Sequence, residues 1–336
     1  MPRRLPRWLA VALWASWPPG EAAPQQVADT TFRFANASPA FAPGAGPEVC
    51  VDAGHQNFHT LDGRYATFGR LLSDDGFRPR SVATFSAEAL RGCRVLATAN
   101  ARGDAGASAY PHGSAFRAEE ISAVLEWVRE GGSLLLITDH PPNVGSVTPL
   151  LALLGFQPLE GYAGPSPEAP TGLAIFGAID ERGLAEFTAR YDIPHERYRA
   201  SVGEPGRLGE HAVLRGRSPS ERIASVASFT GTAFYPAAEV TPLLVFGPAA
   251  TGVSVIALNL PDAEEGEFAR FPLEGWIQAG VREFGRGRVA VLGEAAMCSA
   301  QWAGAQRVTM GMNAPFASQN AQFCLNVVRW LSAVLD

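Results

Sequence analysis

The chain has 336 residues with a formal charge of −6, and every one of its 27 basic residues is arginine. Without lysine there is no Schiff-base nucleophile and no phosphate-loop lysine, and the acidic balance argues against a nucleic-acid binder. A chain of this length buries a large core, so its four cysteines are not needed to hold a fold together.

Arg3, Arg4 and Arg7 precede an apolar run from Trp8 to Trp17, followed by Pro18, Pro19 and small residues. This is the pattern of a secretory signal peptide over 1–22, since ten residues is about half of what a permanent span needs. Removing the segment takes away three arginines and Glu21, and the charge moves from −6 to −8. A periplasmic or secreted protein is expected, with no stable membrane span after cleavage. Residues 23–47, rich in Ala, Pro and Gly, read as a linker or loosely packed arm, and 48–336 as a single domain.

Val49–Val51 predicts a first strand ending in Asp52-Ala-Gly-His, followed by a helix with Leu61, Tyr65, Phe68 and Leu72 on one face and Gly76 at its end. A second strand over Phe77–Val82, a short helix near Ser86–Leu90 and a third strand over Val95–Ala99 follow. The next helix has Phe116 and Ile121 placed as a staple, Glu119 and Glu120 in its first turn, and Ile121, Val124, Leu125 and Val128 as its buried stripe. Gly131-Gly132 stops it, and Ser133–Thr138 is a continuous apolar run, the mark of a strand covered on both faces. Residues 157–220 show no secure period. Ile223–Phe229, Leu243–Phe246 and Val253–Leu258 read as antiparallel or edge strands, Trp276–Phe284 and Arg288–Leu292 as a hairpin, and Gln319–Val334 as a closing helix. The whole is an α/β fold, a mostly parallel sheet with helices on both faces and antiparallel edge strands in the C-terminal half.

Ligands of such sheets bind beyond the carboxyl ends of the strands. Polar residues gather there: Asp52, His55, Asn57 and His59 after the first strand, Asn100 after the third, Asp139 and His140 after the fourth, and Glu294, Ser299 and Gln301 after the late one. His55, His59, Asp139 and His140 form a candidate ligand set for zinc, manganese or iron. Such a metal would activate water, with Glu294, His140 and Asp139 as the catalytic groups and Asn57, Asn100, Asp52 and Gln301 binding substrate. The alternative is structural: Asp139 and His140 satisfying backbone donors at a strand end, His59-Thr60 capping the next helix. Cys50, Cys93, Cys298 and Cys324 show no metal-ligand spacing and are open to one or two disulfides or to burial as free thiols. No G-x-S-x-G elbow and no dinucleotide fingerprint occur, so neither a standard hydrolase serine nor a nucleotide cofactor is expected.

The stretches EEISAVLEWVREGGSLLLITDH and GRGRVAVLGEAAM…N…FCLNVVRWL resemble class I glutamine amidotransferase-like domains, a flavodoxin-like architecture. The likeness is strongest to exported members of unassigned activity and more distant to trehalose-utilisation-type proteins, and it covers most of 47–336. It implies the fold. The amidotransferase cysteine has no counterpart here, so glutamine hydrolysis is not implied, and the distant relatives imply a carbohydrate ligand. The expectation is a hydrolase, metal-assisted, acting on a small or carbohydrate-like substrate; the competing expectation is a non-catalytic module binding a carbohydrate or a partner.

Overall fold

A computed structural model describes residues 26–103, 112–257 and 268–336; the leader expected over 1–22 lies outside them, as does Leu258. The first half of the chain runs β1 (Gln26–Ala28), β2 (Glu48–Asp52), α1 (Ala66–Asp74), β3 (Arg78–Val82), β4 (Cys93–Ala99), α2 (Ala118–Arg129), β5 (Ser133–Ile137) and α3 (Asn143–Leu153). Then come β6 (Phe156–Pro158), β7 (Gly161–Gly164), β8 (Ala174–Gly177), α4 (Glu181–Arg190), α5 (His195–Val202), β9 (Arg207–Leu208), α6 (Ala212–Arg215), β10 (Ser225–Ser228), β11 (Phe234–Pro236) and β12 (Thr241–Val245). The chain closes with β13 (Thr251–Ala257), β14 (Phe268–Pro272), β15 (Ile277–Phe284), β16 (Gly287–Leu292), β17 (Ala300–Ala303), β18 (Val308–Gly311) and α7 (Asn320–Leu331).

The main sheet has the order β3-β2-β4-β5-β16-β15-β11-β6, with β12 and β9 branching from β15. Its first five strands are parallel and the rest join antiparallel. Side-chain alternation sorts the parallel strands onto two faces. Val49, Val51, Val95, Ala97, Leu135, Ile137, Ala290 and Leu292 pack with α1 and α7. Cys50, Leu96, Leu134, Leu136, Val289 and Val291 pack with α2 and α3. Both faces are covered, which is why these strands read as unbroken apolar runs.

Several sequence expectations change. Ser86–Leu90 closes a single hydrogen-bonded turn, Leu90 N to Ser86 O, and forms no helix. Ile121 is only half-buried while Glu120 is buried. The segment 26–47 is not loose: β1 pairs with β17, Thr67 donates to the Asp29 carbonyl and Asn36 to the Asp75 carboxylate. The α3 helix was invisible as a pattern because its apolar residues surround it instead of forming a stripe, and it contains Pro149. The Ile223–Phe229 run yields β10, which leaves the main sheet to pair with β8.

All four cysteines are paired, Cys50 with Cys93 across β2 and β4 and Cys298 with Cys324 on α7. This is the pattern of a protein matured in an oxidising compartment. Arg329 on α7 is 0% exposed and pins the same face from within: its Nε lies 2.8 Å from Asp75 Oδ2 and its Nη1 2.9 Å from Glu221 Oε1. Among the described residues no helix is long and apolar enough to cross a membrane.

Candidate functional site

Because β2, β4, β5 and β16 are parallel, the residues following them emerge on one edge of the sheet. The ladder continues past the strands, Asn100 N donating to Ile137 O and Thr138 N to Leu292 O, which sets the three loops side by side. Asn100 turns its chain with φ 51°, a conformation an asparagine tolerates. That brings its amide to Asp139.

Asp139 is the centre of the group. Its carboxylate accepts the backbone N–H of His140 at 2.8 Å and that of Ala295, and its side chain keeps 15% exposure, so solvent still reaches it. Burial pushes its carboxyl above the usual range against the opposing pull of His140 and of these hydrogen bonds. Behind it Glu294, 2% exposed, accepts the amides of Ala296 (2.5 Å) and Met297 (2.8 Å). Burial, and then the charge of Asp139, raise the Glu294 carboxyl well above its ordinary value. Of the two, Glu294 is held further toward its neutral form, by burial first and then by the charge of Asp139.

Around this floor stand groups from the loop after β2 and from β7. Tyr65 donates to the Ala295 carbonyl at 3.0 Å, and burial with the two nearby acids keeps its phenol protonated. His59 packs edge-on against Tyr65, and burial together with Arg64 and Arg102 lowers its imidazole to about 3, so it is neutral. His140, 32% exposed, stacks on Tyr162 with ring centres 4.6 Å apart. Phe58 is 54% exposed, with the guanidinium carbons of Arg64 and Arg102 at 5.1 and 5.5 Å from its ring centre. Asn57 Oδ1, His59 Nδ1 and Asn100 Oδ1 are buried without a hydrogen-bond partner, an exception to the rule that buried polar atoms are paired.

His55 and Asp52 belong to a different, closed arrangement. His55 Nδ1 lies 2.8 Å from Asp52 Oδ1 and Nε2 lies 3.4 Å from Glu120 Oε1, with Phe85 and Phe116 against the ring. Asp52 also accepts from Thr98 (2.7 Å) and from the Gly54 amide, and Asn57 Nδ2 holds the Asp52 carbonyl. Burial opposes the charge on His55, but the Asp52 hydrogen bond and the two carboxylates outweigh it and raise its pKa. Both ring nitrogens are thus engaged by carboxylates. Gln301 sits on β17, fully buried, donating to Ser299 Oγ at 2.6 Å.

The edge therefore gathers Asn100, Asp139, His140, Glu294 and His59, whereas His55 and Asp52 form a structural bridge and Gln301 packs in a separate sheet. The expected metal set does not fit this arrangement: among the described residues no three His, Cys, Asp or Glu side chains are placed to hold an ion, and His55 has no nitrogen to spare. Sequence reasoning missed Arg64, Arg102, Tyr162 and Glu120. Arg102 stands two residues after Asn100 and shared its signal. Tyr162 lay in an unassigned stretch and had none.

No protein-family model and no curated protein matches the chain. Among solved structures it is similar to the N-terminal domain of mmIFT52, with TM-score 0.50 and 13% identity over 85% of this chain and 97% of that one. It is similar also to a ThuA-like protein from Bacteroides uniformis (TM-score 0.41, 14% identity, 90% and 94% covered) and to a cytoplasmic protein from Salmonella typhimurium (TM-score 0.45, 11% identity, 85% and 98% covered). At such identities the likeness concerns the fold alone. The parallel five-strand core with its antiparallel C-terminal extension is the α/β architecture that the sequence's resemblance to class I glutamine amidotransferase-like domains leads one to expect.

Proposed function

We propose that the strand-end group around Asp139 forms a recess that binds a small polyhydroxylated, carbohydrate-like ligand. The observation that supports it most is the pair of buried polar atoms without partners, His59 Nδ1 and Asn100 Oδ1, in the group around the solvent-reached Asp139 carboxyl. A hydroxyl both donates and accepts, so a polyol satisfies such groups together, while Phe58 and the His140–Tyr162 stack offer ring surface to the apolar faces of a sugar. The test is thermal and urea unfolding of the protein in a panel of monosaccharides and disaccharides. A ligand at a hundred times its Kd adds about 2.7 kcal/mol to stability, and Asn100→Ala and Tyr162→Ala abolish the gain. A gain that survives both substitutions places the ligand elsewhere.

A second reading, hydrolysis, is favoured by one feature, the carboxyls of Asp139 and Glu294, both pushed above their ordinary range chiefly by burial. Of the two acids Asp139 is the one that solvent reaches, 15% exposed against 2%, and it would deliver or accept a proton at a glycosidic or ester oxygen. Turnover of p-nitrophenyl glycosides or esters, lost in Asp139→Asn with binding retained, supports catalysis; binding with no turnover leaves a recognition module. We also infer export, supported by the leader-like start and by both disulfides. Amino-terminal sequencing of the mature protein should begin near Ala23, and a full-length cytoplasmic product contradicts it.

A further inference from the structure

Resting on that reading of the recess, we propose that its ligand is a sugar acid whose carboxylate is held between Arg64 and Arg102. Both arginines are half-buried and place their guanidinium carbons over the same ring, that of Phe58, at 5.1 and 5.5 Å from its centre. A cation–π contact uses the charge of a guanidinium and leaves its N–H donors for other partners, and its planar fork grips a carboxylate through two parallel bonds. Those donors are largely unspent. Arg102 uses Nε on Asn143 Oδ1 at 2.9 Å, which fixes the plane of its fork and leaves the terminal nitrogens. The Arg64 backbone amide donates to Phe58 O at 2.9 Å, while its guanidinium makes no hydrogen bond among the described residues.

The charge count points the same way. Asp139 is the carboxylate that acts on both arginines, and Glu294 behind it is sealed by backbone amides. Two fixed positive charges therefore face one acid, Glu294 behind it being held toward its neutral form, which leaves a local surplus of positive charge in a chain whose net charge is −6. Burial, and then the charge of Arg102, lower the Arg64 pKa, so the two cations repel. An incoming carboxylate relieves that repulsion in a partly desolvated site, where it counts for more than at an open surface. The hydroxyls of the same ligand would then meet Asn100 and Asp139, so one molecule answers both the excess charge and the unmet polar atoms.

The experiment is isothermal titration calorimetry of the full mature protein with D-glucuronate, D-glucose and acetate, on the wild type and on Arg64→Gln, Arg102→Gln and Arg64→Lys. Glucuronate is expected to bind at least tenfold tighter than glucose or acetate. Each Gln variant should weaken glucuronate tenfold or more and change glucose less than threefold, and Arg64→Lys, which keeps the charge but loses the fork, should fall between. Near-UV circular dichroism identifies any variant that fails to fold; Arg64→Lys with a salt titration of the wild type then carries the comparison, affinity falling as salt rises. Glucose binding as tightly as glucuronate, or Gln variants that bind glucuronate normally, overturns the sugar-acid assignment while leaving the recess intact. Acetate binding as tightly as glucuronate makes this a simple anion site and overturns it too. Binding of none of the three overturns the recess reading itself.

Discussion

Replacing His55 by alanine separates a structural bridge from a ligand site. The substitution deletes a buried imidazole held 2.8 Å from Asp52 and 3.4 Å from Glu120, together with ring contacts to Phe85 and Phe116. Breaking a buried pair by removing one partner costs about 3–5 kcal/mol. Both acids keep other donors, Thr98 and the Gly54 amide for Asp52, the Arg117 and Phe85 amides for Glu120, which favours the lower end, about 3 kcal/mol. The pH dependence follows from the raised folded-state pKa. The bridge's contribution is fully present below the unfolded value of about 6.5 and is lost as pH rises through the higher folded value. Urea unfolding of wild type and His55→Ala between pH 6 and 9 should therefore show a gap that is widest at pH 6 and narrows with alkalinity. Equal midpoints at pH 6, or a gap that widens as pH rises, refute the bridge.

Other consequences are as direct. Asp139→Asn should stabilise the protein at pH 7, because a carboxyl with a raised folded pKa costs stability when ionised; the wild type should recover the difference as pH falls toward 4, and an Asn variant that is less stable at pH 7 contradicts this. Arg329→Leu leaves Asp75 and Glu221 buried without their cation and should cost about 3–5 kcal/mol in urea unfolding. Reduction should cost about 4 kcal/mol for Cys50–Cys93 and about 3.5 for Cys298–Cys324, from separations of 43 and 26 residues in the loop-entropy relation, read as the shift in unfolding midpoint of the corresponding Cys→Ser pairs.

The parallel core was legible because its signal is local: apolar strands covered on two faces, separated by amphipathic helices such as α2 with its capping box and Val124, Leu125 and Val128. The strand-end rule then found Asn100, Asp139 and Glu294 without any motif, since register alone brings them together. It overreached at His55, because sequence spacing does not reveal that Glu120, read only as a first-turn acid, folds back across the α2 terminus to take the second ring nitrogen. It overreached again at Gln301, where β17 leaves the main sheet to pair with β1 and β18. The arginines over Phe58 were missed because their partnership depends on loop conformation, which carries no period. The helix α3 was missed for a related reason, its residues being buried on nearly every side.

The central claim is that the carboxyl edge of β4, β5 and β16 forms a ligand site centred on Asp139. Crystals soaked in D-glucuronate and in D-glucose test it most directly. The account predicts ligand density within hydrogen-bonding distance of Asp139 and Asn100, bounded by Phe58 and by the His140–Tyr162 stack. Density bound only at another surface, or a recess that remains water-filled at concentrations that saturate the protein in solution, would contradict it.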